Sequence, residues 1–197
     1  MIEVEKKVSL EEEDLSKIEQ MGTYLGASII TDTYFDTPDF RYTTSDIWLR
    51  EREARYELKV GVRGLSGTFD RYEEVVEERP ILQKLGLDRE KDLSQALPKA
   101  QIFPYASFQT IRRKYQIDAF TLDLDLAYFD DFIYRIAEVE LMVSSESKIP
   151  QAEESLEEFL KYIGINTEKK VKPKLIEFLS RKNPTHYHAL QVSGIVD

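Results

Sequence analysis

The chain has 197 residues, 42% of them hydrophobic and 32% charged, with a formal net charge of −10. This is the make-up of one soluble globular domain with a proper core, and its acidic balance argues against nucleic acid as the main partner. With no Cys, the chain has no disulfide, thiolate zinc site or thiol nucleophile, and its two histidines, His186 and His188, cannot by themselves supply a histidine metal site.

No apolar run approaches the ~20 residues that span a bilayer, and the first residues carry no signal-peptide core. No membrane partner and a cytoplasmic location are expected. In chain order, IEVEKKV reads with a period of two: Ile2, Val4 and Val8 on one side, Glu3, Glu5 and Lys7 on the other. Alone, this is an edge strand with a solvated polar side. SLEEEDLSKIEQMG predicts a helix with Ser9 as N-cap, an acidic first turn and Gly22 as its stop.

A strand-rich stretch is expected from Ile29 to about Val76, carrying ASIITDTYFDT, DIWLRERE, RYELKVGVR and DRYEEVVEE, punctuated by Pro38, Gly64 and Gly67. A short helical stretch follows, broken by Gly86 and closed by Pro98. Three further strands fall at FQTIRRKYQID, FTLDLDLAYF and YRIAEVELMVS. Two helices are expected next, QAEESLEEFLKYIG opened by Pro150 and KLIEFLSRK after Pro173. The tail THYHALQVSGIVD reads either as a short helix with a loose end or as a lid.

In strand after strand a charged pair at i, i+2 is backed by an apolar face. Trp48, Arg50 and Arg52 alternate with Ile47 and Leu49; Glu57 and Lys59 flank Leu58; Asp123 and Asp125 flank Leu124; Glu138 and Glu140 flank Val139. An ordinary half-exposed antiparallel sheet also alternates. Here, however, the charges are sorted by strand, carboxylates on some and cations on others, whereas solvated faces mix signs. The Leu-, Val- and Ile-rich faces need cover, and the amphipathic helices supply it. The expected architecture is α+β: an eight-stranded antiparallel closed barrel with helices outside and a polar, tunnel-like lumen. Arginine forks suit phosphate oxygens, and an oxygen-only donor set suits Mg²⁺ or Mn²⁺. No Walker A, GxGxxG or GxSxG motif is present, so a nucleotide fold is not the route to phosphate.

Glu3-Val-Glu5-Lys6-Lys7 fits the ExExK signature of the CYTH superfamily, the triphosphate tunnel metalloenzymes. With DTYFDTP, WLRER, YELKV, DLDLAYF, AEVELMV and VKPKLIEFL in order, nearly the whole chain resembles that family, most closely its thiamine triphosphatase branch. The resemblance implies a single domain over 1–197, with about 185–197 as a terminal lid or tail. It implies Mg²⁺-dependent hydrolysis of thiamine triphosphate by a monomer. Lys7, Arg50, Arg52, Lys59, Arg112 and Lys174 would bind phosphate oxygens, with Arg113 the rival of Arg112 and Lys172 of Lys174. Asp123, Glu138 and Glu140 would hold the metal, Glu3 and Glu5 would complete the acidic side or place the attacking water, and Asp125 would stand behind them. Trp48 is either a core residue or, by its parity with Arg50 and Arg52, the ring that covers the thiazolium. Tyr34 either tunes the water with Lys59 or is a packing tyrosine. Inorganic tripolyphosphatase, adenylate cyclase and a non-catalytic polyphosphate-binding module remain the alternatives. The acidic surface gives no sign of an RNA triphosphatase's platform.

Overall fold

Alternation of charge and aliphatic side chain builds the sheet. The computed structural model of the chain describes residues 1–62, 69–87, 89–169 and 171–196. Gly64 and Gly67, expected as separators, Arg63 at the end of the RYELKVGVR run and Asp88 in the helical stretch lie outside the described residues. The strands are β1 (Ile2–Val8), β2 (Thr23–Asp36), β3 (Ile47–Arg52), β4 (Arg55–Gly61), β5 (Asp70–Val75), β6 (Phe103–Ile117), β7 (Phe120–Phe129) and β8 (Phe132–Val143). They form one sheet in the order β1-β5-β4-β3-β2-β6-β7-β8, which closes on itself because β1 also pairs antiparallel with β8. The first strand is therefore no edge. Glu3 and Glu5 are buried beside Val4, and the solvated-edge reading fails.

The helices among the described residues are α1 (Glu12–Met21), α2 (Glu78–Lys84), α3 (Leu93–Lys99), α4 (Ile149–Tyr162), α5 (Lys174–Lys182) and α6 (Pro184–Val192). None of them is long and apolar enough to cross a membrane. Several boundaries differ from those read in the sequence. The N-cap of α1 is Glu11, not Ser9: Asp14 reaches back to accept the Glu11 N–H at 3.0 Å, a reciprocal cap that acidic residues make without serine. Gly22 ends α1 as expected, but because a side chain there would lie 2.8 Å from the Ile18 carbonyl and 3.2 Å from Ile117. The next strand starts at once, at Thr23 rather than Ile29. The helical stretch is two helices, and Pro98 lies inside the last turn of α3 instead of closing it, because Ala100 still donates to Ala96 at 3.0 Å. The strand read from Phe108 begins at Phe103. The tail takes the short-helix form of its two readings, as α6.

The chain divides into two compact units. The first comprises Met1–Ile30, Val62–Tyr72 and Gln109–Lys174. Its core joins Val4, Val8, Leu122, Leu124 and Val139 to Ile149, Leu156 and Leu160 of α4. Phe159 stacks on Phe120 at 4.1 Å. Burying each such aliphatic side chain stabilises by roughly 1.5–3 kcal/mol. The second unit comprises Thr31–Gly61, Glu73–Phe108 and Leu175–Asp197. Its core sets Leu49, Leu58 and Val75 against Ile81, Leu82, Leu93 and Leu97 of α2 and α3.

Within the second unit α6 is fastened by a buried polar chain. Asn183 caps it by accepting the His186 N–H at 3.2 Å. The fully buried His186 contacts Thr43 through Nε2 at 2.7 Å, and the Thr43 hydroxyl donates to Asp36 at 2.7 Å. The threonine proton being so used, Nε2–H is the donor to Thr43, and Nδ1 is bare and without a hydrogen-bond partner. Phe40, itself at φ +60°, stacks flat on the imidazole at 4.0 Å. Burial lowers the His186 pKa to about 4, against the opposing pull of Asp36. The unfolded value is near 6.5. The stability this neutral histidine gives is present above pH 6.5 and is lost as pH falls through 4. Denaturant titrations should therefore show wild type losing roughly 3 kcal/mol relative to H186Q between pH 6.5 and 4.

Candidate functional site

Register brings the carboxylates of the first unit together. Glu5 lies opposite Glu140 and Lys7 opposite Glu138 on the β1–β8 ladder, and Asp123 lies opposite Glu138 on β7–β8. Like charges directly opposite each other destabilise an antiparallel pair, so the Glu5–Glu140 match needs a compensating cation. Two groups of acidic oxygens result, each with its atoms within 4.8 Å of one another: Glu3, Glu5 and Glu140, and Asp123, Glu138 and Glu140. Glu140 belongs to both. These are the five residues expected to hold the metal. Oxygen donors with neither sulfur nor imidazole fit Mg²⁺ or Mn²⁺.

Cations thread this acidic set. Arg112, opposite Asp125 on the β6–β7 ladder, forks onto both oxygens of Asp125 at 2.6 and 2.7 Å. It also bonds Asp123, and Glu138 at 2.8 Å. Arg113 points the other way and pairs with Glu19 at 2.7 Å at the surface, so of the two rivals Arg112 is the one that lies among the carboxylates. Lys174, the first residue of α5, is buried against Asp125 and Glu138. The Lys172 carbonyl instead accepts from the Tyr134 hydroxyl at 2.8 Å. Lys7 bonds Glu5, and Asp70 at 2.7 Å. Asp125 thus holds two of the expected phosphate-binding cations, Arg112 and Lys174.

The charges shift one another. Burial first, then Asp123, Glu3, Glu138 and Glu5, push the Glu140 carboxyl up to about 9. Burial alone would pull Lys7 down, but Asp70, Glu5 and Glu138 together hold it well above the ordinary lysine value. Arg112 is likewise raised, the carboxylates outweighing its burial.

The second unit carries the other expected residues. Arg50 pairs with Glu57 at 2.6 Å, and burial is outweighed there by Tyr34, Asp32 and Glu57, which raise its pKa. Arg52 forks onto the buried Asp32 at 2.7 and 2.8 Å. Lys59 pairs with Glu74 at 3.1 Å. Tyr34 is opposite Arg50 on the β2–β3 ladder and stacks on Phe108 at 5.7 Å, so it combines packing with a place on the charged face. Trp48, 9% exposed, is opposite Lys59 and lies outside the second unit's apolar core. Its indole N–H donates to Asp46 at 2.8 Å.

Sequence reasoning missed Asp32, Glu74, Asp70 and Lys114, the last 2.9 Å from Asp123. Parity with Tyr34 in TDTYFD was a signal for Asp32, and parity with Arg112 a signal for Lys114. Asp70 and Glu74 reach their lysines from a strand distant in sequence, and no local pattern announces that.

A closed antiparallel sheet bearing a buried carboxylate cluster threaded with arginine and lysine defines a protein equipped for a hard cation and a polyanion. The chain belongs to the CYTH domain family, whose model matches residues 1–173. It is 30% identical over 209 residues to thiamine-triphosphatase of Homo sapiens, covering 96% of this chain and 89% of that protein. Among solved structures it resembles PH1819 of Pyrococcus horikoshii OT3, with TM-score 0.60, 21% identity and coverage of 92% and 99%. It also resembles HpAC1 of Hippeastrum, an adenylyl cyclase candidate described as having a dominant triphosphatase activity, with TM-score 0.58, 20% identity and coverage of 94% and 98%.

The raised Glu140 has a measurable consequence. Its folded pKa of about 9 exceeds the unfolded 4.5, so the stability tied to its proton is present below pH 4.5 and is lost as pH rises through 9. In metal-free buffer, wild type should lose stability relative to E140Q across that window, at up to about 1.4 kcal/mol per pH unit. Added Mn²⁺ should reverse the slope for wild type, measured by denaturant titration at each pH.

Proposed function

We propose that the chain is a divalent-metal-dependent hydrolase of a small organic triphosphate, with thiamine triphosphate as its substrate. The observation that carries this reading is the meeting of Glu3, Glu5, Asp123, Glu138 and Glu140 with Arg112, Lys174 and Lys7 in one unit. A pure anion site has no use for five carboxylates, and a pure cation site has no use for three bases set among them. The human relative at 30% identity is named for thiamine triphosphate, and the Hippeastrum neighbour for triphosphatase activity.

In this reading Asp123, Glu138 and Glu140 would hold Mg²⁺, with Mn²⁺ as a substitute and Glu3 and Glu5 alongside. A divalent ion bound there would supply Lewis-acid neutralisation of phosphate charge. Arg112, Lys174 and Lys7 exchange their carboxylate partners for phosphate oxygens and stabilise the charge that builds on the leaving diphosphate. Glu5 positions the attacking water. Arg50, Arg52 and Lys59 are further phosphate contacts, and Tyr34 with Lys59 tunes the water. Water oxygen bonds to the terminal phosphorus as its bond to the bridging oxygen breaks, and the water proton leaves to solvent. The products are thiamine diphosphate and phosphate.

Trp48 is assigned to the organic cation, whose positive charge its ring would face. Its burial favours a second reading, inorganic tripolyphosphate, in which the ring only packs. Phosphate release with Mg²⁺ from thiamine triphosphate, tripolyphosphate and ATP separates the two. Thiamine triphosphate should be preferred at least tenfold in kcat/KM, and W48A should lose most of that preference. A preference for tripolyphosphate in both proteins favours the second reading, and no metal-dependent turnover of any substrate leaves only a binding module. R112Q should lose 100-fold or more in kcat, the scale for removing one donor to a developing charge, with circular dichroism confirming the fold.

A further inference from the structure

Trp48 stands two strand positions beyond the pair Asp46 and Gly61, which meet where the β3–β4 ladder ends. Asp46 is held through both its backbone and its side chain. Its backbone N–H donates to the Thr43 carbonyl at 3.0 Å, and its own carbonyl accepts the Gly61 N–H at 2.9 Å. Its carboxylate Oδ1 accepts the Trp48 indole N–H at 2.8 Å. Its backbone is left-handed, φ +61°, a conformation that aspartate tolerates better than most residues. The carboxylate occupies the space over Gly61 where any other residue would carry a side chain. A methyl group on Gly61 would lie 1.6 Å from Oδ2 and 2.3 Å from Cγ of Asp46. Position 61 therefore excludes every residue but glycine for as long as Asp46 holds the indole.

We infer that Asp46, given room by Gly61, is a specificity-determining positioning residue: it fixes the Trp48 ring in the one orientation that receives the flat organic cation of the substrate. The inference rests on the reading of Trp48 under the proposed function. An aromatic side chain free to turn about χ1 and χ2 would surrender ordering entropy on binding, and a ring fixed in advance avoids that cost. Lys59, opposite Trp48 on β4, and Arg50, next on the same face, would then meet the phosphate portion of the same ligand class, an organic triphosphate.

Trp48 is the only tryptophan of the chain, so all tryptophan emission reports on it. The experiment measures acrylamide quenching of that emission in the free protein, together with the ratio of kcat/KM for thiamine triphosphate to that for tripolyphosphate. The proteins compared are wild type, D46A, D46N and G61A. D46A and G61A are expected to quench at least twofold faster than wild type and to lower the ratio at least fivefold, chiefly through KM for thiamine triphosphate. D46N, whose amide oxygen still accepts the indole N–H, is expected to restore both readouts. Unchanged quenching in both D46A and G61A overturns the positioning role, and so does D46N behaving as D46A. Faster quenching with an unchanged ratio overturns the specificity role. Quenching needs no substrate, so failure of the thiamine reading, seen as an unaltered ratio in W48A, is distinguishable from failure of the Asp46 hydrogen bond. If D46A does not fold, G61A and D46N still decide the matter.

Discussion

Crowding of like charge is the constraint on which the first unit depends. Five carboxylates from β1, β7 and β8 converge, four of them buried, and Arg112, Lys174, Lys7 and Lys114 set among them offset their charge. Removing one member of such a set leaves an uncompensated charge, so every strand that contributes one is tied to its neighbours' register. The remaining strain shows at Glu140, the carboxyl common to both acidic groups, which keeps its proton to about pH 9. A divalent cation held there would displace that proton, so its affinity would rise with pH.

The second unit spreads its charges along β2 to β5. The shortest contacts are Arg52 with Asp32, Arg50 with Glu57 and Lys59 with Glu74, and Asp32 also lies 4.0 Å from Arg50. The unit's apolar face is satisfied separately, Leu49 and Leu58 being sealed beneath α2 and α3.

Much of this was legible in the sequence because strands with two unlike faces carry their orientation in every second residue. β7 falls where FTLDLDLAYF predicted it, and parity alone put Asp123 with Asp125 and Glu138 with Glu140. What parity cannot supply is absolute register between strands, which is why Arg112 and Arg113 stood as rivals until β6 was laid against β7. Nor does it supply partners from remote segments, such as Asp70 for Lys7 or His186 for Thr43. The end signals erred where two chemistries competed. Ser9 is a better N-cap than glutamate by propensity, yet the Glu11–Asp14 reciprocal bond won. Pro98 forfeits one ladder bond without ending a helix whose apolar residues, Leu93, Ala96 and Leu97, are already fully packed. The resemblance of the ordered motifs to the CYTH family carried the roles that periodicity left open.

The ladders of β1, β7 and β8 run without a bulge, from Ile2 opposite Val143 to Val8 opposite Ala137, and from Thr121 opposite Glu140 to Phe129 opposite Phe132. Gene changes that alter length therefore fall under a harsher rule here than those that alter identity. Loss of a single codon within β7 would carry Leu122 and Leu124 to the charged face and Asp123 and Asp125 into the apolar core in one step. Divergence of this region by substitution is open to gradual trial, whereas lengthening and shortening are confined to the connections between strands.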